Sequence, residues 1–384
     1  MGRFGDGIGT GSDLGAAALS ALTAAVAPLG GRAPDLVLVF VGGGDPDEMA
    51  GVALACGERS GSQAVLGCTA AGVMGGGRSC EGATAVGVFA AVLPGARLRT
   101  FHLEVMPVDA GAAVVGMPEL RPSTDEVALL FADAYSFPAG SFADRTADSL
   151  PGMPVVGGVA DGPRGAGSTR LWVDGRVVDR GAVGVLLDGA SARPLVSQGC
   201  RPVGPAMTVT AARGNLLLSL AGRPAVAALR DLLADLPPTD QALVSGGLLL
   251  GIAVDEYADE RTFLVRSVLG TDPAIGGLLV SDLVPVGTTV QLQVRDADAA
   301  DADLRAALER CPGQPGSGAL VFSGAERGSG LFGASYGGAE HDQRTVRSVL
   351  AADAVGGFFT SGQLGPVAGR NRLHSLAASL LVLP

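Results

Sequence analysis

Val355-Gly356-Gly357-Phe358-Phe359-Thr360-Ser361-Gly362-Gln363-Leu364-Gly365 is an apolar run that breaks into a turn marked by glycine. The pattern occurs twice before, as Val65-Leu66-Gly67-Cys68-Thr69-Ala70-Ala71-Gly72-Val73-Met74-Gly75 and as Val155-Val156-Gly157-Gly158-Val159-Ala160-Asp161-Gly162-Pro163-Arg164-Gly165. Glycines at 67, 72 and 75 recur at 157, 162 and 165, and again at 357, 362 and 365. Upstream of each lies a second apolar run: Leu36-Val37-Leu38-Val39-Phe40, Val127-Ala128-Leu129-Leu130-Phe131 and Ala319-Leu320-Val321-Phe322. Each unit therefore reads as a buried strand, a helix and a second strand ending in a glycine turn. Turns at the ends of core strands are where α/β proteins place ligands.

The rest of the chain fits this reading. Strands are expected at 35–41, 63–68, 83–93 and 97–105, then at 126–132, 154–158, 169–173 and 182–188. Asp13 can cap a helix over 14–28, and a further helix covers 140–150. A turn-rich connector, Gly189-Ala190-Ser191-Ala192-Arg193-Pro194, marks a boundary. Beyond it come a hairpin around Arg213-Gly214-Asn215 and a helix at 224–236 that Pro237-Pro238 ends. Strands follow at 247–254, 262–268, 277–280 and 288–294, and a helix at 301–310 stops before Pro312. The last glycine unit runs from 318 to 384, with a helix at 341–351. Strands outnumber helices. The expected fold class is α/β with an α+β tendency, built of internally duplicated mixed β-sheets covered by helices.

Composition narrows the function. The 47% hydrophobic share supplies ample core, and 60 glycines lack a collagen period. No lysine occurs, so all 27 basic residues are arginine. That excludes Schiff-base chemistry and a Walker lysine. A net charge of −11 without a basic block argues against nucleic-acid binding. The sequence offers neither a membrane span nor a signal-peptide pattern, so a cytoplasmic location is expected. Cys56, Cys68, Cys80, Cys200 and Cys311 form no C-x-x-C pair, and no metal site is expected.

Several stretches together resemble the FIST family (F-box and intracellular signal transduction). Arg3-Phe4-Gly5, Asp35-Leu36-Val37-Leu38-Val39-Phe40 and Leu66-Gly67-Cys68-Thr69-Ala70-Ala71-Gly72 are similar to its N-domain. Leu249-Leu250-Gly251-Ile252-Ala253-Val254-Asp255-Glu256, Phe263-Leu264-Val265-Arg266, Gly362-Gln363-Leu364-Gly365-Pro366 and Gly369-Arg370-Asn371-Arg372-Leu373-His374 are similar to its C-domain. The resemblance implies an N-terminal domain over 1–190 and a C-terminal domain over 191–384. It implies a non-enzymatic sensory module for small molecules such as amino acids, with a protein signalling partner. This chain would be a stand-alone form. Some bacterial members bind haem, which makes a haem gas sensor the alternative. The chain departs from the family where Ser361 replaces an amide, Gln363 a carboxylate and Gly324 a cysteine.

The candidate ligand-binding residues are Arg266, Thr360, Ser361, Gly362, Gln363, Asn371 and His374. Arg266, in an apolar run, needs a carboxylate from a ligand or from the protein, and the two readings are equally weighted. Thr360, Ser361 and Gln363 offer neutral hydrogen-bonding groups, although such turns more often serve only to end strands. His374 opens the final strand, beside the Arg370-Asn371 turn. An axial haem ligand would come from His102, His341, His374 or a cysteine. Arg327, in a glycine-rich loop, reads as solvated. Gly333-Ala334-Ser335-Tyr336-Gly337 matches G-x-S-x-G, which needs a strand before the serine and a helix after it. Gly328-Ser329-Gly330-Leu331-Phe332-Gly333 matches G-x-G-x-x-G but has no helix opening at its glycines. Gly72, Gly162 and Gly362 are expected in loops at equivalent strand ends, with positive φ.

Overall fold

In a computed structural model of the chain, the two apolar runs of every unit form neighbouring parallel strands joined by a helix. The structure describes residues 2–109, 111–119, 125–256, 262–311 and 316–384. The chain forms two compact units, Met1–Gln198 with Asp303–Pro384, and Gly199–Ala302. The first unit holds three copies of one motif, so the duplication read from the sequence is a triplication.

The first copy comprises β1 (Arg3–Thr10), α1 (Leu14–Val26), β2 (Leu36–Gly42), α2 (Pro46–Ser60), β3 (Ala64–Ala70), the hairpin β4 (Gly72–Gly75) and β5 (Arg78–Glu81), and β6 (Ala85–Val92). Its helices start where local chemistry dictates. Asp13 and Asp45 accept backbone N–H bonds from Ala16 and Asp47, and Pro46 occupies the first turn of α2. The second copy comprises β7 (Arg97–Val108), β8 (Gly111–Val115), β9 (Glu126–Asp133), α3 (Ala139–Ser149), β10 (Val155–Ala160), the hairpin β11 (Leu171–Val173) and β12 (Arg176–Val178), and β13 (Ala182–Asp188).

The third copy opens with β14 (Arg193–Gln198), after which the second compact unit is inserted. That unit contains β15 (Cys200–Arg213), β16 (Leu216–Leu220), β17 (Arg223–Pro224), α4 (Ala225–Asp235), α5 (Pro238–Ser245), β18 (Leu249–Ala253), β19 (Phe263–Asp272), β20 (Gly277–Val280) and β21 (Thr289–Arg295). Its strands run in the order β15-β21-β18-β19-β20-β16-β17, and β15 also pairs with β16, so the sheet closes on itself. A register shift between Val203 and Met207 lets β15 serve two neighbours. α4 ends before Pro237-Pro238 as expected, and Pro238 then sits in the first turn of α5. The third copy resumes with α6 (Ala297–Glu309), β22 (Gly318–Gly324), α7 (His341–Leu350), β23 (Ala354–Thr360), the hairpin β24 (Gln363–Val367) and β25 (Arg370–His374), and β26 (Ala377–Leu383). The chain thus leaves the first unit near the boundary expected at 190. It then returns, and residues 303–384 fold with the N-terminal copies.

In each copy the last strand runs antiparallel between the outer strand and the first parallel strand. The hairpin, however, leaves its own copy. β4–β5 pairs onto β23, β24–β25 onto β10, and β11–β12 onto β3. The first copy gives its hairpin to the third, the third to the second, and the second to the first, so the exchange is cyclic.

This exchange explains the recurring glycines. Gly67, Gly157 and Gly357 each face a parallel partner, Val39, Leu130 and Val321, and a donated hairpin on the other side. A Cβ there would lie 1.7, 1.9 and 1.9 Å from the carbonyl oxygens of those three partners. Gly157 and Gly357 also have φ of 147° and 155°. The expectation for the later glycines is corrected in part. Gly162 and Gly362 lie in turns, but Gly72 opens β4, and none of the three has positive φ. Crowding requires glycine instead: a Cβ at Gly72 would lie 2.6 Å from the Cys80 carbonyl oxygen, and at Gly162 2.3 Å from Ser168 Oγ.

The three copies meet at aromatic rings. Phe131 lies 5.3 Å from Phe40 and 5.7 Å from Phe322, centroid to centroid. Phe358 sits 4.9, 5.6 and 5.5 Å from Phe40, Phe131 and Phe322. Its counterparts in the other copies are the smaller Cys68 and Gly158, and a Cβ at Gly158 would lie 3.1 Å from the Phe358 ring. One large residue and two small ones thus fill the point where three equivalent strands converge. Phe358→Ala is expected to cost about 3–5 kcal/mol in urea unfolding. Gly157→Val should cost about 3 kcal/mol through strain and overpacking. Gly152→Ala, at a left-handed turn (φ 79°) with open space around it, should cost only about 1–2 kcal/mol.

Candidate functional site

The C-terminal ends of β22 and β23 bring together the third glycine turn and the long connection before α7. Thr360 ends β23, and Ser361 and Gly362 make the turn into the donated hairpin. Thr360 Oγ1 donates to the Gly362 carbonyl (2.9 Å) and accepts from Gln363 Nε2 (2.9 Å). Gln363 Oε1 accepts the Ala377 N–H at 3.0 Å. The Gly362 carbonyl also accepts the Val159 N–H at 2.7 Å, and the Ser361 N–H donates to the Val159 carbonyl at 3.2 Å. Asn371 pins the hairpin to the second copy: its Oδ1 accepts the Val155 N–H, and its Nδ2 donates to Thr146 Oγ1 and the Met153 carbonyl, each at 2.9 Å. His374 Nε2 lies 3.1 Å from the Gly365 carbonyl oxygen. These groups, read from the sequence as ligand contacts, hold the hairpin in its neighbour's sheet. Among them Asn371 lines a small cavity of about 130 Å³.

Arg266 belongs to the inserted unit, and Thr360, Ser361, Gly362, Gln363, Asn371 and His374 to the other. Its Nε donates to Asp282 Oδ2 at 2.6 Å, the protein carboxylate that a half-buried arginine needs.

The sequence reading missed the main charged cluster at the strand ends. Arg327 is only 1% exposed, which corrects its reading as a solvated loop residue. Its Nε and Nη2 each donate to the Asp342 carboxylate at 3.0 Å, and Phe332 covers the guanidinium at 5.4 Å. Asp342 Oδ2 also accepts Ser323 Oγ at 2.6 Å, and Oδ1 lies 3.0 Å from His341 Nδ1. The His341 ring stacks on Phe332 with centroids 3.6 Å apart. Burial acts to raise the Asp342 pKa, but Arg327 and the bonds from His341 and Ser323 outweigh it and hold the carboxyl well below its usual range. Arg327 Nη1 is buried and has no hydrogen-bond partner among the described residues. The cluster adjoins the glycine turn: the Ala325 N–H donates to the Thr360 carbonyl at 3.0 Å. Arg327 and Asp342 stand fifteen positions apart, with loop and 3₁₀ turns between them, so no periodicity could signal the pair.

Ser335 lies exposed in a single 3₁₀ turn, Ala334–Tyr336, not at a strand–helix elbow. The G-x-G-x-x-G match precedes 3₁₀ turns, and helix begins only at His341. The residues present do not fit a haem. His341 is stacked and bonded, His374 meets the Gly365 carbonyl, and His102 Nε2 lies 3.1 Å from the Arg180 carbonyl. Cavities of about 280, 610, 390 and 130 Å³ have neither histidine nor cysteine in their walls. Among the described residues no group of three or more His, Cys, Asp or Glu could hold a metal ion, and no helix is long and apolar enough to cross a membrane.

The sequence matches both parts of a two-part family. Residues 35–223 match the FIST N domain and residues 225–366 the FIST C domain. The chain belongs to the FIST family. An uncharacterised protein of Mycobacterium tuberculosis (strain H37Rv) is 40% identical over 98% of both chains, and one of Mycobacterium bovis is 39% identical over 98% of both.

Asp342→Asn, which leaves the Arg327 charge buried and unpaired, is expected to cost about 3–5 kcal/mol. The depressed Asp342 pKa adds stability that is fully present above the unfolded-state value of about 3.9 and is lost as pH falls below it. Urea midpoints of the wild type should therefore fall more steeply between about pH 5 and 3 than those of Asp342→Asn.

Proposed function

We propose that this FIST protein is a non-enzymatic sensor that takes a small, polar, amino-acid-like ligand at the strand ends of the third copy. FIST domains are sensory domains that bind small ligands in signal transduction. The observation that carries the reading is the unpartnered Arg327 Nη1. A buried donor without an acceptor costs about 1–3 kcal/mol, more when charged, and a ligand carboxylate would satisfy it. Thr360 and Gln363 are bonded within the protein and would hold the adjoining turn in place rather than contact the ligand. Gly337 and Gly338, at φ of 90° and 59°, supply hinges in the covering segment. Ligand entry would displace that segment, which is a signal a protein partner can read. The net charge of −11 supports a partner other than nucleic acid. That none of the five cysteines is in a disulfide supports a reducing, cytoplasmic setting, and burial raises the Cys56 thiol to about 11.

A thermal-shift screen over amino acids, small carboxylic acids and haem tests the reading. A ligand at 100 times its Kd should add about 2.7 kcal/mol of stability. Arg327→Gln combined with Asp342→Asn removes both charges together and should abolish the shift. Arg266→Gln should leave it unchanged. A shift that survives the double variant would place the ligand elsewhere.

A further inference from the structure

A second cavity lies far in sequence from that site, between the edge strand β8 and helix α3. It measures about 610 Å³, within the range of small-molecule sites. Val114, Met117, Phe142 and Leu150 give it apolar walls. Its floor is continuous with a buried core in which Phe137 and Phe142 lie 5.2 Å apart. The trough has room because β8 carries the small Ala112 on the face that Val114 also presents to α3. A full-sized side chain at Ala112 would fill it.

One charge stands in the wall. Arg145, on an exposed face of α3, lines the cavity with Ser141 and Ser149. Among the described residues it has no carboxylate partner, while the adjacent Asp144 is taken by Arg372 at 2.5 Å. An apolar trough with one free guanidinium and two hydroxyls at its side matches one ligand chemistry: a hydrocarbon body ending in a carboxylate.

We infer that the groove between β8 and α3 binds a medium-chain aliphatic carboxylate, with the chain against Val114, Met117, Phe142 and Leu150 and the head group on Arg145. This site is independent of the strand-end site, so either can fail without the other.

Calorimetric titration of the full chain with octanoate, decanoate and decanol tests the inference. Decanoate should bind saturably at one site per chain. Lengthening octanoate by two methylenes should tighten binding by about 15-fold, the equivalent of about 0.8 kcal/mol per buried methylene. Arg145→Gln should weaken decanoate by about tenfold and leave decanol unchanged. Ala112→Phe should remove both while leaving the melting temperature within about 2 °C of wild type. Absence of saturable decanoate binding, or equal binding by Arg145→Gln, overturns it. So does self-association in sedimentation that Ala112→Phe abolishes, because the groove would then seat a second copy of the chain.

Discussion

The first unit depends on hairpins that leave their own copy. A parallel β-α-β pair exposes the outer edge of its second strand, and an exposed edge invites unwanted pairing. Here β3, β10 and β23 are each covered by a hairpin from another copy, and the cycle closes after three. Closure needs strands to approach more tightly than a side chain allows, which is why Gly67, Gly157 and Gly357 occupy the meeting points. Polar residues near the hairpins then fix the graft. Asn371 ties one hairpin to the strand and helix of its host, and Arg170–Asp47 (2.9 Å) and Arg347–Asp6 (2.7 Å) bridge copies elsewhere. Exposed pairs of this kind contribute about 0–1 kcal/mol each, so the hairpins are held mainly by backbone bonds and packing.

Backbone symmetry does not extend to side chains, and the differences carry the chemistry. At the end of the first parallel strand the first copy has Gly42-Gly43-Gly44, the second has Asp133, and the third has Ser323 and Gly324 leading to Arg327. Asp133 Oδ2 is spent locally, accepting the Ser136 N–H at 2.8 Å and Ser136 Oγ at 2.6 Å, while its Oδ1 is buried without a hydrogen-bond partner among the described residues. Only the third copy buries an arginine and a carboxylate together. A buried ion pair must offset the desolvation of both charges, and it does so only with close hydrogen bonding. Asp342 meets that condition through Arg327, Ser323 and His341, but the remaining N–H of Arg327 does not. A buried guanidinium with one N–H group left over is what sets this strand end apart from the other two.

The inserted unit solves the edge problem differently, by bending β15 so that its sheet closes. Arg266 belongs to that solution. It shares a register position with Leu250 and is neutralised by Asp282. Its position in an apolar run showed that it needed an anion, and the fold supplied one within the same unit.

By itself the sequence determined the strand–helix–strand units, because buried parallel strands are continuous apolar runs and the glycine spacing repeats in all three. It also determined the aromatic end of each first strand, Phe40, Phe131 and Phe322, and the family landmarks from Arg3 to His374. Tertiary structure decided which sheet each hairpin joins, since β4, β11 and β24 carry no mark of their destination and pair with strands remote in sequence. It decided that Thr360, Gln363 and Asn371 would bond to the protein itself, because a polar side chain looks the same whether a backbone group or a ligand meets it. It also decided that Arg327 would be buried. Its neighbours in the chain, Ala325, Glu326, Gly328 and Ser329, mark a surface loop, and only the fold brings Phe332 over its guanidinium and Asp342 against it.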